Sequence, residues 1–272
     1  MTHKTIKEKI TFVGIGIHSG NPVTMTIHPS SKNQIIFYNL NNPSKKLVVA
    51  PKNCSAIHNR ATYLKNNTMT IQTPEHFLAA CAAFNISSLD IFIDSPELPI
   101  FDGSSSEFIN AFSKNKIINL ETKNSPIKIK KPKLIQHNQS CIILTPSKTS
   151  IFNYYLSYND KHIKTQIESI SINKKIYLND LFSARTFGFE EEVDHLKKQG
   201  LAKGGSLKNA LIIGKNSYVN EPRFPNECAK HKLLDLIGDL WILNKPIIGT
   251  ITAIKSGHQL NNECIHYLNS LI

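Results

Sequence analysis

The chain has 272 residues and a formal net charge of +12, and 40% of its residues are apolar while 19% are charged. This length suits one large domain or two small ones, and the apolar fraction excludes disorder as the default. The five cysteines show no CxxC spacing, which argues against a disulfide framework or a thiolate zinc knuckle and fits a reducing compartment. We see neither a signal segment nor a membrane span of roughly 20 apolar residues, so we expect a cytoplasmic protein.

The basic charge balance alone would fit nucleic acid, an anionic membrane surface or a phosphorylated substrate. The lysines are scattered except at 127–133, where they alternate with isoleucines as on the exposed face of a strand. Aromatic residues are not interleaved with the basic ones, and no nucleic-acid-binding motif is present. We therefore expect no nucleic-acid partner, at most peripheral contact with a membrane, and a monomer, although no residue pattern addresses the oligomeric state.

The first half of the chain is predicted to start with antiparallel strands, because residues 11–29 alternate apolar and polar side chains. Thr73 and Pro74 predict an N-cap and first turn for the apolar run 75–84, and the helix should stop near Asn85. The pattern then predicts a strand at 89–94, a polar loop at 95–104 and a second helix at 105–112.

The second half of the chain repeats this order of elements. Residues 141–158 are typical of antiparallel strands, and Pro225 and Asn226 precede a helix that continues to about Leu243. After these come a strand at 247–254, a polar loop at 255–262 (KSGHQLNN) and a last helix at 263–271.

The repeated order predicts an α+β protein with two similarly built β/α two-layer sandwich domains, not one doubly wound sheet. A polar, lysine-rich segment at 113–133 separates the two halves and contains Pro126. This composition places the boundary near residues 122–126. We expect a first domain at 1–122 and a second at 126–272.

Two histidines stand apart from the others because acidic residues accompany them. His76 lies in the first turn of its predicted helix, directly after Glu75, and His231 has Asp235 and Asp239 four and eight residues later. A helix rises about 1.5 Å per residue, so Asp235 lies about 6 Å from His231 and Asp239 about 12 Å. Only Asp235 can share an ion with His231. With His76 as third ligand, two histidines and one carboxylate make a catalytic zinc pattern.

The alternative interpretation is a solvent-facing helix with His–Asp pairing at positions i and i+4. The apolar residues of this segment leave it little polar surface: Leu233, Leu234, Leu236, Ile237, Leu240 and Trp241. A stripe of imidazole and carboxylate groups on so apolar a helix should have a partner.

Several segments match one family in chain order. They are GIGIHSG (14–20), TPEH (73–76), PELPIFDGSSSEF (96–108), ARTFGF (184–189), GGSLKNALI (204–212), HKLLDLIGD (231–239) and KSGHQLNN (255–262). These motifs resemble the UDP-3-O-acyl-N-acetylglucosamine deacetylases, which catalyse the committed step of lipid A synthesis in Gram-negative bacteria. The resemblance spans nearly the whole chain and implies an active site between the two sandwich domains.

The resemblance also implies roles for individual residues. It implies one Zn²⁺ per chain bound by His76, His231 and Asp235, a ligand set that iron could also occupy. Glu75 would be the general base, and His258 the charged acid or oxyanion partner. Asp239 would orient His258, and Thr186 would donate a hydrogen bond to the tetrahedral intermediate.

For substrate binding, the resemblance implies that Lys232 and Lys255 help to hold an amphiphilic UDP-sugar. Phe187 would belong to the apolar passage for the acyl chain, within an insert at about 187–214. His18 either lines the site or caps a strand turn, and the sequence leaves both readings open.

The residue types suit amide hydrolysis, because zinc lowers the pKa of water towards about 7 and polarises the carbonyl. We expect hydrolysis of the N-acetyl group of UDP-3-O-acyl-N-acetylglucosamine with release of acetate. One alternative is a related metal amidohydrolase acting on another acylated nucleotide-sugar. Another is a non-catalytic nucleotide-sugar sensor, which would need neither Glu75 nor His258.

Overall fold

The computed structural model describes residues 1–55, 61–158, 163–172 and 180–272. The strands are β1 Thr2–Ile6, β2 Ile10–Ile15, β3 Pro22–Pro29, β4 Ile35–Asn39, β5 Asn42–Val48, β6 Cys54–Ser55, β7 Tyr63–Lys65, β8 Thr70–Gln72, β9 Leu89–Ile93, β10 Ile117–Lys123, β11 Ile127–Lys128, β12 Lys133–His137, β13 Ser140–Thr145, β14 Ser150–Leu156, β15 Gln166–Ser171, β16 Phe187–Phe189, β17 Leu211–Ile213 and β18 Ile247–Ile254. The α-helices are α1 Glu75–Phe84, α2 Ser106–Lys114, α3 Glu190–Lys198, α4 Glu227–Leu240 and α5 His258–Asn269. Short 3-10 turns lie at Pro51–Asn53, Asp180–Ser183 and Trp241–Leu243.

Two large sheets repeat the same strand order. The first runs β2-β3-β9-β4-β5 and the second β12-β13-β18-β14-β15. In the first sheet, β9 is antiparallel to β3 and parallel to β4. In the second, β18 is antiparallel to β13 and parallel to β14. The predicted α+β class with two similarly built halves is therefore confirmed.

The antiparallel strands expected at the start of each half are direct neighbours in the first half but not in the second. The strands β2 and β3 do pair antiparallel, but β14 pairs in parallel with β18, which lies between β13 and β14. Parallel neighbours need a crossover connection, and the segments containing α1 and α4 provide it. Each sheet is therefore mixed.

The helices cover the sheets with apolar side chains. Phe77 of α1 packs against Phe37 of β4 with ring centroids 6.4 Å apart, and Phe108 of α2 packs 5.1 Å from Phe12 of β2. In the second half, α4 contacts β14 and β15, and α5 contacts β12 and β13. Burial of such side chains is the main stabilising contribution to folds of this kind.

Helices α1 and α4 of the two halves pack against each other, and Gly238 makes this approach possible. A Cβ atom at Gly238 would lie 2.0 Å from the carbonyl oxygen of Glu75. Only glycine leaves room for so close a backbone contact. The first turn of α1 therefore lies directly beside the second half of α4.

The chain passes between its two halves at residues 124–126. Before this point β10 pairs with β1, and after it β11 pairs with the start of β18. The buried apolar side chains of both halves belong to one continuous cluster. The division into domains 1–122 and 126–272 therefore stays a prediction.

Two predicted helix ends are corrected. Thr73 does not cap α1, because it adopts a left-handed conformation (φ +53°) and its hydroxyl donates to the carbonyl of Gln72. Helix α5 begins at His258, inside the segment predicted as a loop. Leu260 and Asn261 are buried in its first turn, and their burial explains why the helix begins early. No helix among the described residues is long and apolar enough to cross a membrane.

Candidate functional site

A cleft of about 320 Å³ lies where the first turn of α1, the middle of α4 and the start of α5 meet. The predicted site residues that border it are Glu75, His76, Thr186, Phe187, His231, Lys232, Asp235 and His258. His18 also borders the cleft. Of the two remaining predicted residues, Asp239 is buried in direct contact with His258, and Lys255 borders a neighbouring cleft.

Three of these side chains converge as a metal site requires. The ligand atoms of His76, His231 and Asp235 all lie within 4.8 Å of one another. Asp235 Oδ1 is 3.5 Å from His76 Nε2 and 3.3 Å from His231 Nε2. Two imidazoles and one carboxylate in this arrangement could hold one divalent ion and leave a position open.

The ring of His231 is oriented for ligation by a contact on its far side. Its Nδ1 lies 3.0 Å from the carbonyl oxygen of Ala184 and donates to it, so Nε2 carries the lone pair that faces Asp235. Burial lowers the pKa of His231 to about 4. The imidazole is therefore neutral at pH 7, which is the form that binds a metal.

Asp235 provides the test of whether the cluster fits a cation. Its Oδ2 accepts a hydrogen bond from Lys232 Nζ at 2.9 Å, but its buried Oδ1 accepts none from the described residues. Burial opposes ionisation, yet the charged ammonium of Lys232 holds the pKa of Asp235 well below its usual range. A buried carboxylate oxygen without a donor is costly, and a cation bound between the histidines would satisfy it.

Lys232 itself is ionised, because Asp235 more than offsets the effect of burial and raises the lysine pKa. Its ammonium lies 6.0 Å from the centre of the Phe187 ring. The Lys232 ammonium therefore lies at the wall of the cleft, between Asp235, a candidate metal ligand, and the ring of Phe187. A role in holding the nucleotide-sugar stays a prediction.

Glu75 stands beside the three converging side chains and is buried. Burial raises its pKa to about 7, although His258 and His76 act in the opposite direction. Its Oε2 accepts no hydrogen bond from the described part of the chain. A carboxylate with a free oxygen and a pKa near neutrality can take up and release a proton at pH 7.

Asp239 contacts the Nδ1 side of the His258 ring. The Nδ1 of His258 lies 2.8 Å from Asp239 Oδ2, which also accepts from Asn261 Nδ2 at 2.8 Å. The Thr62 hydroxyl donates to Asp239 Oδ1 at 2.5 Å. Burial alone would lower the pKa of His258, but Asp239 and Glu75 outweigh it and raise that pKa to about 9. The imidazole is therefore a cation at pH 7.

This chain matches the model of the UDP-3-O-acyl N-acetylglycosamine deacetylase family over residues 3–270. The chain belongs to this family. It is 36% identical to the UDP-3-O-acyl-N-acetylglucosamine deacetylase of Campylobacter hominis over 97% of this chain and 90% of that relative. It is also similar to the deacetylases of Leptospira biflexa, with 36% identity over 95% of this chain and 86% of the relative, and Syntrophotalea carbinolica, with 31% over 96% and 85%.

In this member of the deacetylase family, a buried ion pair supports Thr186 and Phe187. Glu227 accepts from the backbone N–H and the guanidinium of Arg185, with Nε 2.9 Å from its Oε1. The Thr186 N–H donates to the Gly103 carbonyl at 2.7 Å. The Phe187 ring packs edge-on 6.2 Å from the ring of His231.

Lys255 lies apart from the converging side chains. It is exposed and borders a second cleft of about 310 Å³, which shares Tyr158 and Lys232 with the first. Its ammonium is 3.4 Å from Gln139 Oε1. The two predicted substrate-binding lysines thus border one continuous surface, and their roles stay predictions.

Sequence reasoning missed Thr62 and Asn261, the two further partners of Asp239. Asn261 lies three residues after His258, and this spacing could have revealed it if α5 had been predicted to begin at His258. Thr62 carries no comparable local signal, because it reaches Asp239 across a separation of 177 residues.

Proposed function

We propose that this protein is a zinc-dependent deacetylase that hydrolyses the N-acetyl group of UDP-3-O-acyl-N-acetylglucosamine, releasing acetate and UDP-3-O-acyl-glucosamine in lipid A synthesis. The observation that carries the proposal is the convergence of His76, His231 and Asp235, with one buried carboxylate oxygen lacking a donor. Membership of the deacetylase family supports the substrate class.

His76, His231 and Asp235 would hold one Zn²⁺. When bound, the ion polarises the amide carbonyl and lowers the pKa of water towards about 7. Glu75 then accepts the proton of the attacking water, since its Oε2 is free and its pKa is about 7. The proton leaves the nucleophile as it approaches the acetyl carbon.

His258 acts as the charged partner of the developing oxyanion and as the acid for the leaving amine. Its Nδ1 is held by Asp239, and its Nε2 lies 3.8 Å from Asp235 Oδ2 on the side of the candidate ligands. The Nε2 proton that His258 would donate to the leaving nitrogen therefore lies on the side of the cleft where the amide is proposed to bind. Thr186 borders the same cleft and donates a hydrogen bond to the tetrahedral intermediate.

The substrate-binding residues surround this centre. Lys232 and Lys255 would attract the diphosphate of the nucleotide-sugar, and the net charge of +12 favours such an anion. Phe187 would contact the acyl chain beside His231. A cytoplasmic location and a monomeric state remain predictions from the sequence.

The proposal is tested with the purified full chain by metal analysis and by acetate release from substrates of graded acyl length. We expect about one zinc per chain and release that requires the 3-O-acyl group. His76→Ala should lose both metal and activity, whereas His266→Ala, a control on the exposed face of α5, should keep both.

Acetate release by metal-free His76→Ala would overturn the proposed metal site. If the metal-loaded chain released no acetate from any of these substrates, the result would favour the alternative, a related amidohydrolase acting on another acylated nucleotide-sugar.

A further inference from the structure

A buried carboxylate outside the candidate metal cluster holds a loop that borders the cleft. Glu97 lies between β9 and α2 and is only 1% exposed. Its Oε1 accepts the backbone N–H of His18 at 2.7 Å, and its Oε2 accepts that of Ser19 at 2.9 Å. These residues belong to the 16–20 loop, which connects β2 to β3. Charge-assisted bonds of this kind are stronger than neutral ones.

The loop closes tightly around this carboxylate. A Cβ atom at Gly16 would lie 2.1 Å from Glu97 Oε2, so only glycine permits the approach. The segment that carries Glu97 is itself fixed to β8, because the Gln72 N–H donates to Pro96 O and the Leu98 N–H to Gln72 O, at 2.7 and 3.2 Å. Glu97 thus holds the 16–20 loop in a fixed position relative to β8.

The same loop contacts the insert of the second half. The Lys203 N–H donates to the His18 carbonyl at 3.1 Å, and the Gly204 N–H donates to the Ile17 carbonyl at 3.0 Å. A Cβ at Gly204 would lie 2.2 Å from the Gly16 carbonyl oxygen. His18 is therefore bonded through its N–H to Glu97 and through its carbonyl to the insert.

The loop forms one wall of the cleft. Ile17 and His18 border it together with Phe187 and Gly188 of the insert strand β16. Apolar side chains on both walls suit an alkyl chain. We propose that Glu97 is a positioning residue that sets this wall and, through it, determines how tightly the acyl chain of the substrate binds.

This inference rests on the proposed function for the identity of the acylated substrate. Among the described residues, the Glu97 carboxylate accepts its hydrogen bonds from the backbone of the 16–20 loop and none from the candidate ligands, the acid or the base. Its effect should therefore appear in the KM for substrates with a long acyl chain rather than in kcat.

The test compares Glu97→Gln with wild type on a long-acyl and a short-acyl UDP-sugar. The glutamine amide nitrogen can only donate, so the backbone N–H of either His18 or Ser19 loses its acceptor. We expect the KM for the long-acyl substrate to rise about tenfold, with kcat and the short-acyl KM changed less than about twofold. Glu107→Gln, on the exposed face of α2, is the matched control and should change neither.

Amide hydrogen exchange gives a readout that does not depend on turnover. In Glu97→Gln, exchange should accelerate at residues 17–19 and at 203–204, while β9 and α1 stay protected and the metal content is unchanged. If wild type released no acetate, the proposed function would fail, yet this exchange pattern would still test the role of Glu97.

A second variant covers the case in which Glu97→Gln does not fold. Gly204→Ala separates the insert from the loop without altering Glu97, and it should raise the long-acyl KM in the same selective way. Equal losses on both substrates, or an unchanged long-acyl KM in a folded variant, would overturn the inference.

Discussion

Asp235 and Asp239 lie one turn apart on α4, yet their surroundings differ. Asp235 has one oxygen bound to Lys232 and another that accepts no hydrogen bond from the described residues. Both oxygens of Asp239 accept hydrogen bonds, Oδ1 from Thr62 and Oδ2 from His258 and Asn261. The same residue type on the same helix thus provides one carboxylate with an oxygen that accepts no hydrogen bond from the described residues and one whose two oxygens both accept, as a carboxylate that orients an imidazole would.

The difference arises from the elements that each turn of α4 faces. Asp235 faces His76 from the first turn of α1, and neither histidine in contact with it donates a hydrogen bond to its Oδ1. Asp239 faces α5 and the residue before β7, which supply a hydroxyl, an amide and an imidazole N–H. The number of hydrogen-bond donors around each carboxylate, and not the residue type, separates the expected metal ligand Asp235 from the expected orienting residue Asp239.

The largest effect should follow from removing the carboxylate of Asp235. Asp235→Ala should lose the metal and reduce acetate release more than about 1000-fold, well beyond the effect expected for outer partners. Metal content by mass spectrometry and initial rates measure both. If Asp235→Ala kept its metal while Asp239→Ala lost it, the comparison between the two turns would be reversed.

A smaller loss is expected at Glu75, which stands beside the cluster without joining it. Glu75→Gln keeps the size of the side chain but removes the proton acceptor, so the rate should fall about 100- to 1000-fold with the metal retained. Rates and metal content of the same preparation distinguish a base from a ligand. Full activity in this variant would contradict the assignment of the base.

Asp239→Asn should act through His258 and affect the pH profile. Wild-type kcat/KM should rise as Glu75 loses its proton near pH 7 and fall as His258 loses its proton near pH 9. Without the Asp239 charge the pKa of His258 falls, so the basic limb moves to lower pH. The rate at the optimum should drop about 10- to 100-fold.

The control for this shift is metal content, which should equal that of wild type. A basic limb that stays near pH 9 in Asp239→Asn would separate that limb from His258.

The smallest effect is expected at Thr62, the partner of Asp239 that the sequence did not reveal. Thr62→Val keeps the shape and removes one hydrogen bond to Asp239, so the rate should fall about fivefold without metal loss. Steady-state kinetics would detect this change. A loss as large as that of Asp239→Asn would mean that the hydroxyl, and not the carboxylate, holds the His258 ring in place.

Most of what could be predicted was local in the chain. The helices at 75–84 and 227–243 follow from apolar periodicity and flanking prolines, and the structure confirms both, the second as α4 followed by a 3-10 turn at Trp241–Leu243. The mixed pairing of β18 could not be predicted, because strand order depends on contacts between distant segments. The polar composition of residues 258–262 is typical of a loop, yet they form the start of α5, because its apolar face lies buried against the core.

The sequence by itself determined the spacing of His231 and Asp235, since an i, i+4 pair on a helix is set by the helix rise alone. It also determined that Glu75 directly precedes His76. Only the tertiary structure decided that both oxygens of Asp239 accept hydrogen bonds and that Glu97 holds the 16–20 loop. Their hydrogen bonds to Thr62 and His18 join residues 177 and 79 positions apart, and contacts at such separations depend on how the whole chain packs.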